Sequence, residues 1–493
     1  MRKCILLFIL LPFLGLCQVQ IGSTIYGFSE NDRLGESVSI SGDGNTFAVG
    51  EFNSDINSDR TGRVLVYQKQ SGDWVQLGND IDGGESSRIG GSISLSSNGN
   101  RIAIYDFSTD GIAGFNVGST KVFEFQANIW VQIGQTIEGE GQQDSTTSNS
   151  NLSISSDGSI LAIGTPQNDG GGVNSGHVRV FNYDSSTSQW LQIGDDIDGE
   201  DQNNGFGVSV DLSSNGQRIV IGAPVHFNAF STPGHVRVFE YQGGSWVQIG
   251  DEIEGEGNFD LFGRDVNISS NGNIIAVGAR DNDGNGQSSG HVRIYEYQVN
   301  DWIQLGNDID GEGALNGSGE NLSLSSDGTV VAVGSIFNDV NGFRTGHVRV
   351  FKYSSTDWTQ VGIDIDGEAE GDDFSSDLSL SADGSIVVVG ARFNDVNGSD
   401  SGQVKVFDLS SILSVEDVII ENYKLYPNPT KTQFTIQVNP SVELEEVSIH
   451  NLLGQVVLTS KEHIVNTSKL ASGSYIVEVI TNQGKATKKL IID

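Results

Sequence analysis

All six tryptophans of this chain, Trp74, Trp130, Trp190, Trp246, Trp302 and Trp358, open the same short phrase, Trp-x-Gln-[Ile/Leu/Val]-Gly. The successive gaps are 56, 60, 56, 56 and 56 residues. A period of this size, built from short strand-like segments, marks an array in which each repeat covers the apolar face of the next. It also orders the reading of every other residue. A side chain that recurs once per repeat belongs to the architecture first and to chemistry second.

The fifth copy shows the grammar: VNIS, then IIAVG, then HVRIYEY, then WIQLG. Each segment is rich in Val, Ile, Tyr and Phe and is bounded by Gly, Asn, Asp or Ser, which is strand chemistry. No segment keeps the i, i+3, i+4, i+7 spacing of a helix. The Ser-x-[Asp/Asn]-Gly junction between the first two strands suits a tight hairpin, and it recurs seven times between Gly44 and Gly384. The third strand also recurs seven times, but the tryptophan-marked fourth strand only six. The missing copy stands at the other end of the chain, where Gln18-Val19-Gln20-Ile21-Gly22 matches the fourth-strand phrase. An offset of one strand is what ring closure requires, and closure removes exposed sheet edges. The expectation is an all-β chain: a seven-bladed β-propeller over residues 18–411, closed by its N-terminal strand, with a small β-sandwich behind it.

Composition bounds the partners. The formal net charge is −37, and only 36% of residues are hydrophobic. Residues 422–493 hold seven lysines and are near neutral, so the deficit sits in 18–411. Such a surface repels nucleic acid and anionic lipid and favours cations, basic proteins and neutral polysaccharides. Met1-Arg2-Lys3 followed by an apolar run to Leu16 reads as a signal peptide over 1–17. The rival is a lipoprotein signal acylated at Cys17, although Leu16 is bulky for that site. Cys4 and Cys17 are the only cysteines, so a mature chain cut after Cys17 has no thiol. No other stretch is long and apolar enough to span a bilayer.

Beyond an expected linker at 412–421 the phrase changes. Leu425-Tyr426-Pro427-Asn428-Pro429, Asn451-Leu452-Leu453-Gly454-Gln455, Leu470-x-x-Gly473-x-Tyr475 and the terminal Lys488-Lys489-Leu490-Ile491 resemble the C-terminal sorting domain of type IX secretion, over residues 422–493. That resemblance implies export from a Gram-negative host of the Bacteroidetes type, handling by the type IX machinery, and a secreted or cell-surface location. It speaks to delivery and not to the role of the cargo.

The fourth repeat carries Phe206-Gly207, Gly222-Ala223-Pro224 and Gly234-His235-Val236-Arg237-Val238-Phe239. These residues resemble the FG-GAP repeat of integrin-α-type propellers. The family's Ca²⁺ loop, Asp-x-Asp-x-Asp-Gly, is absent between the first two strands. Ser-Ser-Asp-Gly offers at most one carboxylate, so calcium does not carry over to that position.

Alternation of strands puts the short first–second and third–fourth turns on one face and the long acidic loops on the other. The candidate ligand-binding acids there are Asp198, Glu200, Asp283, Asp310, Glu312, Asp339, Asp366, Glu368 and Asp395. Two readings compete for them. One is weak Ca²⁺ binding, which makes Ca²⁺ the one cofactor the loops suggest. The other is turn capping by Asp and Asn, favoured because the motif repeats. His177, His235, His291 and His347 share one repeat position at the head of the third strand. Equivalent sites in separate repeats do not converge on one ion, so strand pairing is the expected role. The tryptophans read as packing between repeats and not as sugar platforms. No nucleophile–base pair or phosphate loop stands out.

The expected role is therefore non-catalytic extracellular binding or adhesion, to a protein or a polysaccharide. The alternatives are an enzyme acting on extracellular polysaccharide and a purely structural surface component. Breaks in the repeat, at 106–118 and at 225–233 with His226, Phe227 and Phe230, mark where an enzyme site would sit. Exposed aromatics on the loop face would favour sugar binding, and a uniform acidic ring would favour an ion-linked or structural role.

Overall fold

The computed structural model describes residues 18–54, 61–84, 87–110, 114–141, 144, 151–224, 232–354, 356–413, 424–437, 444–451, 456–481 and 484–492. The expected signal peptide with Cys4 and Cys17, the His226/Phe227/Phe230 cluster and Gly454 lie outside these residues. The chain divides into two units that meet in sequence at Ile412 and Leu413. A short helix, Ser410–Leu413, occupies the start of the expected linker.

Among its described residues the first unit is all-β, with seven antiparallel sheets in propeller-like repetition. Numbered by their inner strands, repeats 1 to 7 begin at Leu34–Ile40, Ser92–Leu95, Leu152–Ile154, Ser209–Leu212, Phe262–Ile268, Ser318–Leu324 and Phe374–Leu380. Repeat 5 is typical: inner Phe262–Ile268, then Ile274–Ala279, His291–Gln298 and outer Asp301–Gln304 in spatial order. What the sequence reads as the start of a loop, Ile309-Asp310, pairs with His291 and Val292. The outer strand thus resumes after an interruption, and in repeat 2 it runs unbroken as Ile129–Glu138. Asp198, Asp310 and Asp366 therefore stand on outer strands and not in free loops. In repeat 7 the outer position is taken by the N-terminal segment, with Val19 opposite Asp408 and Gln20 opposite Phe407.

Three sets of contacts recur between repeats. At the turn end, backbone N–H groups form a cycle. Gly42 donates to Ser97, Ser97 to Ser156, Ser156 to Ser214, Ser214 to Ser270, Ser270 to Ser326, Ser326 to Ala382 and Ala382 back to Gly42, all at 2.8–3.0 Å. One step inward, a polar side chain of each inner strand accepts an N–H of the next. Ser39 accepts from Leu95, Asp211 from Ile268, Asn267 from Leu324 and Ser379 from Ile40. Inner strands otherwise present unpaired edges, and these side chains satisfy them. Farther out, each tryptophan Nε1–H donates to a carbonyl of the preceding repeat, from Trp74 to Ile21 (3.0 Å) through Trp358 to Leu305 (2.8 Å). The glycine that ends the fourth-strand phrase makes room for this ring at every boundary that carries a tryptophan. A Cβ on Gly134 would come within 2.5 Å of Trp190.

Between the sheets lie alternating apolar layers such as Ile219, Ile221, Val210 and Phe206. Each such side chain contributes about 1.5–3 kcal/mol by leaving water. The inner strands of all seven repeats surround an axial channel with two cavities of about 150 Å³ each.

The second unit packs a three-stranded sheet (Lys424–Tyr426, Gln433–Gln437, Ile464–Asn466) and a four-stranded sheet (Val456–Ser460, Leu444–His450, Gly473–Thr481, Gly484–Ile492) around Phe434, Ile436, Val447, Ile449, Val477 and Leu490. Asn428 pins the last strand, donating to the Lys489 carbonyl (2.7 Å) and accepting from Ile491 N–H (2.9 Å). The Tyr475 hydroxyl donates to the Ala471 carbonyl at 2.8 Å. Tyr426, Pro427, Pro429, Lys488 and Lys489 are exposed, and Gly473 starts its strand.

Candidate functional site

The turn end of the channel is lined in every repeat by one Ser, Gly or Ala and one Ile or Leu. The opposite, loop end is not uniform. At the start of the inner strands of repeats 5, 6 and 1 stand Arg264, Glu320 and Glu36, and just past the second strands of repeats 5 and 7 stand Arg280 and Arg392. Arg264 grips Glu320 with two nitrogens (2.8 and 3.2 Å), and Arg280 reaches the same carboxylate at 3.1 Å. Arg344 grips Asp373 in the same forked way (2.6 and 2.9 Å). Arg392 spans Glu36 (2.9 Å) and Asp373 (3.4 Å). Forked guanidinium–carboxylate pairs hold a fixed geometry, which suits a recognition surface.

Electrostatics follow from this packing. Burial alone would raise the Glu320 carboxyl, but Arg264 and Arg280 outweigh it and hold it down to about 2. Burial wins at Asp373, whose carboxyl is raised despite Arg344 and Arg392. Phe337 and Phe393 lie under these arginines, with Arg344 4.9 Å and Arg392 4.8 Å from the ring centres. In repeats 1 and 2 the positions of Arg280 and Arg392 are taken by Phe52 and Phe107, stacked at 4.9 Å. The mouth thus has an ionic arc over repeats 5, 6, 7 and 1 and an apolar arc over repeats 1 and 2.

The long loops at this end expose apolar side chains. Phe28, Phe115, Phe259 and Phe343 are 55–66% exposed, and Leu315, Val340 and Val396 are similar. Phe259 and Leu315 hold φ of 74° and 66°, where the equivalent residues Asn31 and Asn203 hold 68° and 60°. Asn tolerates the left-handed region, whereas a bulky apolar residue there costs about 1–2 kcal/mol.

The acids singled out from the sequence are held within their own loops and strands. Asp283, Asp339 and Asp395 accept backbone N–H groups of Ser288, Arg344 and Asp400 within their own loops (2.7–2.9 Å). Glu200 pairs with Arg237 (2.8 Å) and Glu368 with Lys405 (2.6 Å), tying neighbouring repeats. Asp198, Asp310 and Asp366 are exposed on the outer strands. Burial, then a neighbouring aspartate, raises each of these carboxyls. Glu312 stands 3.9 Å from His347 Nδ1. The nine acids do not converge on one point. The mouth arginines escaped sequence reasoning because Arg264 and Glu320 are 56 positions apart in different repeats. The available signal was the break in the repeat, where equivalent positions read Glu36, Gly91, Val208, Arg264, Glu320 and Ser376.

Residues 424–493 match the family described as secretion system C-terminal sorting domain. The chain is a secreted or cell-surface protein of the Bacteroidetes, delivered by type IX secretion. It is also similar to an ulvan lyase of Nonlabens ulvanivorans, 39% identical over 90 residues, which is 17% of this chain and 17% of that protein. The match thus spans about a sixth of that relative. Among solved structures, the periplasmic gluconolactonase of Pseudomonas aeruginosa is similar at 16% identity and a TM-score of 0.46, covering 72% of this chain and 96% of that one. No helix among the described residues is long and apolar enough to cross a membrane.

Proposed function

We propose that the first unit is a closed seven-bladed propeller of the FG-GAP-like kind that binds a neutral extracellular polysaccharide at the loop end of its channel, without chemistry. The hydrogen-bond cycle through Gly42 and Ala382 and the pairing of Val19 with Asp408 support the closed ring. The observation that carries the binding role is the set of exposed phenylalanines on the long loops of this end. Flat apolar rings match the faces of sugars, and fixed Arg–carboxylate pairs offer both donors and acceptors to hydroxyl groups. Strain at Phe259 and Leu315 fits residues kept for a surface role. The charge of −37 disfavours polyanions. In this reading the nine loop and outer-strand acids form the outer rim of the binding face.

The test is affinity electrophoresis of the mature chain in laminarin, xyloglucan and galactomannan, with alginate as the anionic control. Retardation by a neutral glycan, lost in Phe115→Ala/Phe343→Ala, is expected. No retardation by any neutral glycan, or retention unaffected by both substitutions, contradicts the reading. The second reading, a polysaccharide-active enzyme, is supported by the name of the ulvan lyase relative. It would show as depolymerisation of the glycan during the same assay.

A further inference from the structure

Three buried histidines at one repeat position have ring nitrogens that the architecture leaves unused. His177, His291 and His347 are each 1% exposed. Both nitrogens of His291 and His347, and Nε2 of His177, make no hydrogen bond. A buried polar group left in this state opposes folding, and here it recurs. A pure strand-pairing role does not explain that, because a strand-pairing residue needs no imidazole.

Each histidine instead faces carboxylates. His177 lies with Glu140 and Asp196, His291 with Glu256 and Asp308, and His347 with Glu312 and Asp364. In each trio the available ligand atoms lie within 4.8 Å of one another. Histidine and aspartate come from one repeat, and the glutamate comes from the loop that enters it from the preceding repeat. The His177 Nδ1–Asp196 and His291 Nδ1–Asp308 separations are 3.6 and 3.7 Å. Two ligands at the usual ~2.0–2.1 Å from one zinc ion stand roughly 3.3 Å apart, so the His177–Asp196 and His291–Asp308 pairs lie within a few tenths of an ångström of that spacing, and the other ligand atoms of each trio, within 4.8 Å, have farther to close. Histidines of separate repeats do not meet, as expected. Convergence occurs within each repeat boundary, between one histidine and two carboxylates.

We propose that these three trios are binding sites for a divalent transition metal of the zinc class, each bridging the boundary between two repeats. The mixed imidazole and carboxylate set suits zinc and its neighbours, whereas calcium takes oxygen ligands.

The sites are not equal. Arg293 holds Asp308 with two hydrogen bonds of 3.0 Å and also touches Glu256. Arg179 holds Glu140 at 3.2 Å. Arg349 donates to the Asp310 carbonyl (2.6 Å) and forms no ion pair with the carboxylates beside His347 among the described residues. Asp366, 3.9 Å from His347 Nδ1, offers a further carboxylate there. The site at His347 is therefore expected to bind most tightly and the site at His291 most weakly.

The test titrates the chelator-treated full chain with ZnCl₂ by calorimetry and with Co²⁺ by visible absorption. Up to three equivalents of zinc are expected, one per trio. Glu312→Gln/Asp364→Asn should remove the tightest equivalent, and His177→Gln/His291→Gln/His347→Gln should remove all binding. If the histidine variant fails to fold, Glu140→Gln/Glu256→Gln/Glu312→Gln, which alters only exposed side chains, takes its place and should weaken every site at least tenfold. Absence of stoichiometric zinc binding, binding unchanged in these variants, or displacement of zinc by equimolar Ca²⁺ overturns the proposal.

Discussion

The two ends of the axial channel are built from the same inner strands and differ in kind. At the turn end every repeat does the same thing: a small residue, a backbone N–H, and a carbonyl of the neighbour about 2.9 Å away. At the loop end no one arrangement serves every repeat. Repeat 5 places Arg264 and Arg280 there, repeat 6 places Glu320, and repeats 1 and 2 place Phe52 and Phe107. Architecture resides in what recurs and recognition in what does not, so the two ends should respond to mutation in opposite ways.

The largest effect is expected where a recurring contact is removed. Trp190 is buried, donates to the Ile133 carbonyl (3.2 Å) and packs 5.1 Å from Tyr183. Trp190→Ala should lower unfolding free energy by about 3–5 kcal/mol in a denaturant titration and leave glycan retention by the folded fraction unchanged. Glu320→Ala attacks the loop end at its buried centre. It strands Arg264 and Arg280, and a loss of about 3 kcal/mol is expected. Retention should fall here as well, which separates this variant from Trp190→Ala.

A pH-dependent difference comes from repeat 1, which carries Arg63 where repeats 3 to 6 have histidine and Glu51 opposite it. Glu51 is fully buried. Burial, then Asp32, raises its carboxyl from 4.5 to about 7, against the pull of Arg63. A raised folded value means that the protonated form favours folding. The contribution is complete below about 4.5 and is lost as the pH rises through 7. Glu51→Gln should therefore gain stability over the parent between pH 5 and 8, by about 2 kcal/mol at the upper end. The profile of melting temperature against pH checks it.

The smallest stability effect is a gain. Ser375 holds φ 74° where Gly207, Gly263 and Gly319 hold 85–92°, and its buried hydroxyl has no hydrogen-bond partner. Ser375→Gly should stabilise by about 1 kcal/mol in the same titration.

Repeated four-stranded sheets and the sorting domain were legible because their signals are local. Alternation, Asp-Gly turns and the Tyr426–Pro429 phrase each occupy a few adjacent residues. The resumed outer strand at Ile309-Asp310 was not legible, because two residues flanked by Gly and Asp look like loop. The mouth was not legible for a different reason. Its pairs, such as Arg392 with Glu36, join residues 356 positions apart, and each member alone looks like ordinary surface charge. The acids that did stand out were conspicuous because they recur. Asp283, Asp339 and Asp395 recur as caps of equivalent loops.

The most direct measurement is amide hydrogen exchange on the full chain, alone and with the neutral glycan that retards it. The account expects slow exchange at all turn-end amides from Gly42 to Ala382 in both states. It expects new protection on adding glycan only at the loop end, in the peptides carrying Phe28, Phe115, Phe259 and Phe343 and the Arg264–Glu320 and Arg344–Asp373 pairs. Protection that appears at the turn end or on the outer strands, with these loops unchanged, would contradict the division of the molecule into an architectural end and a binding end.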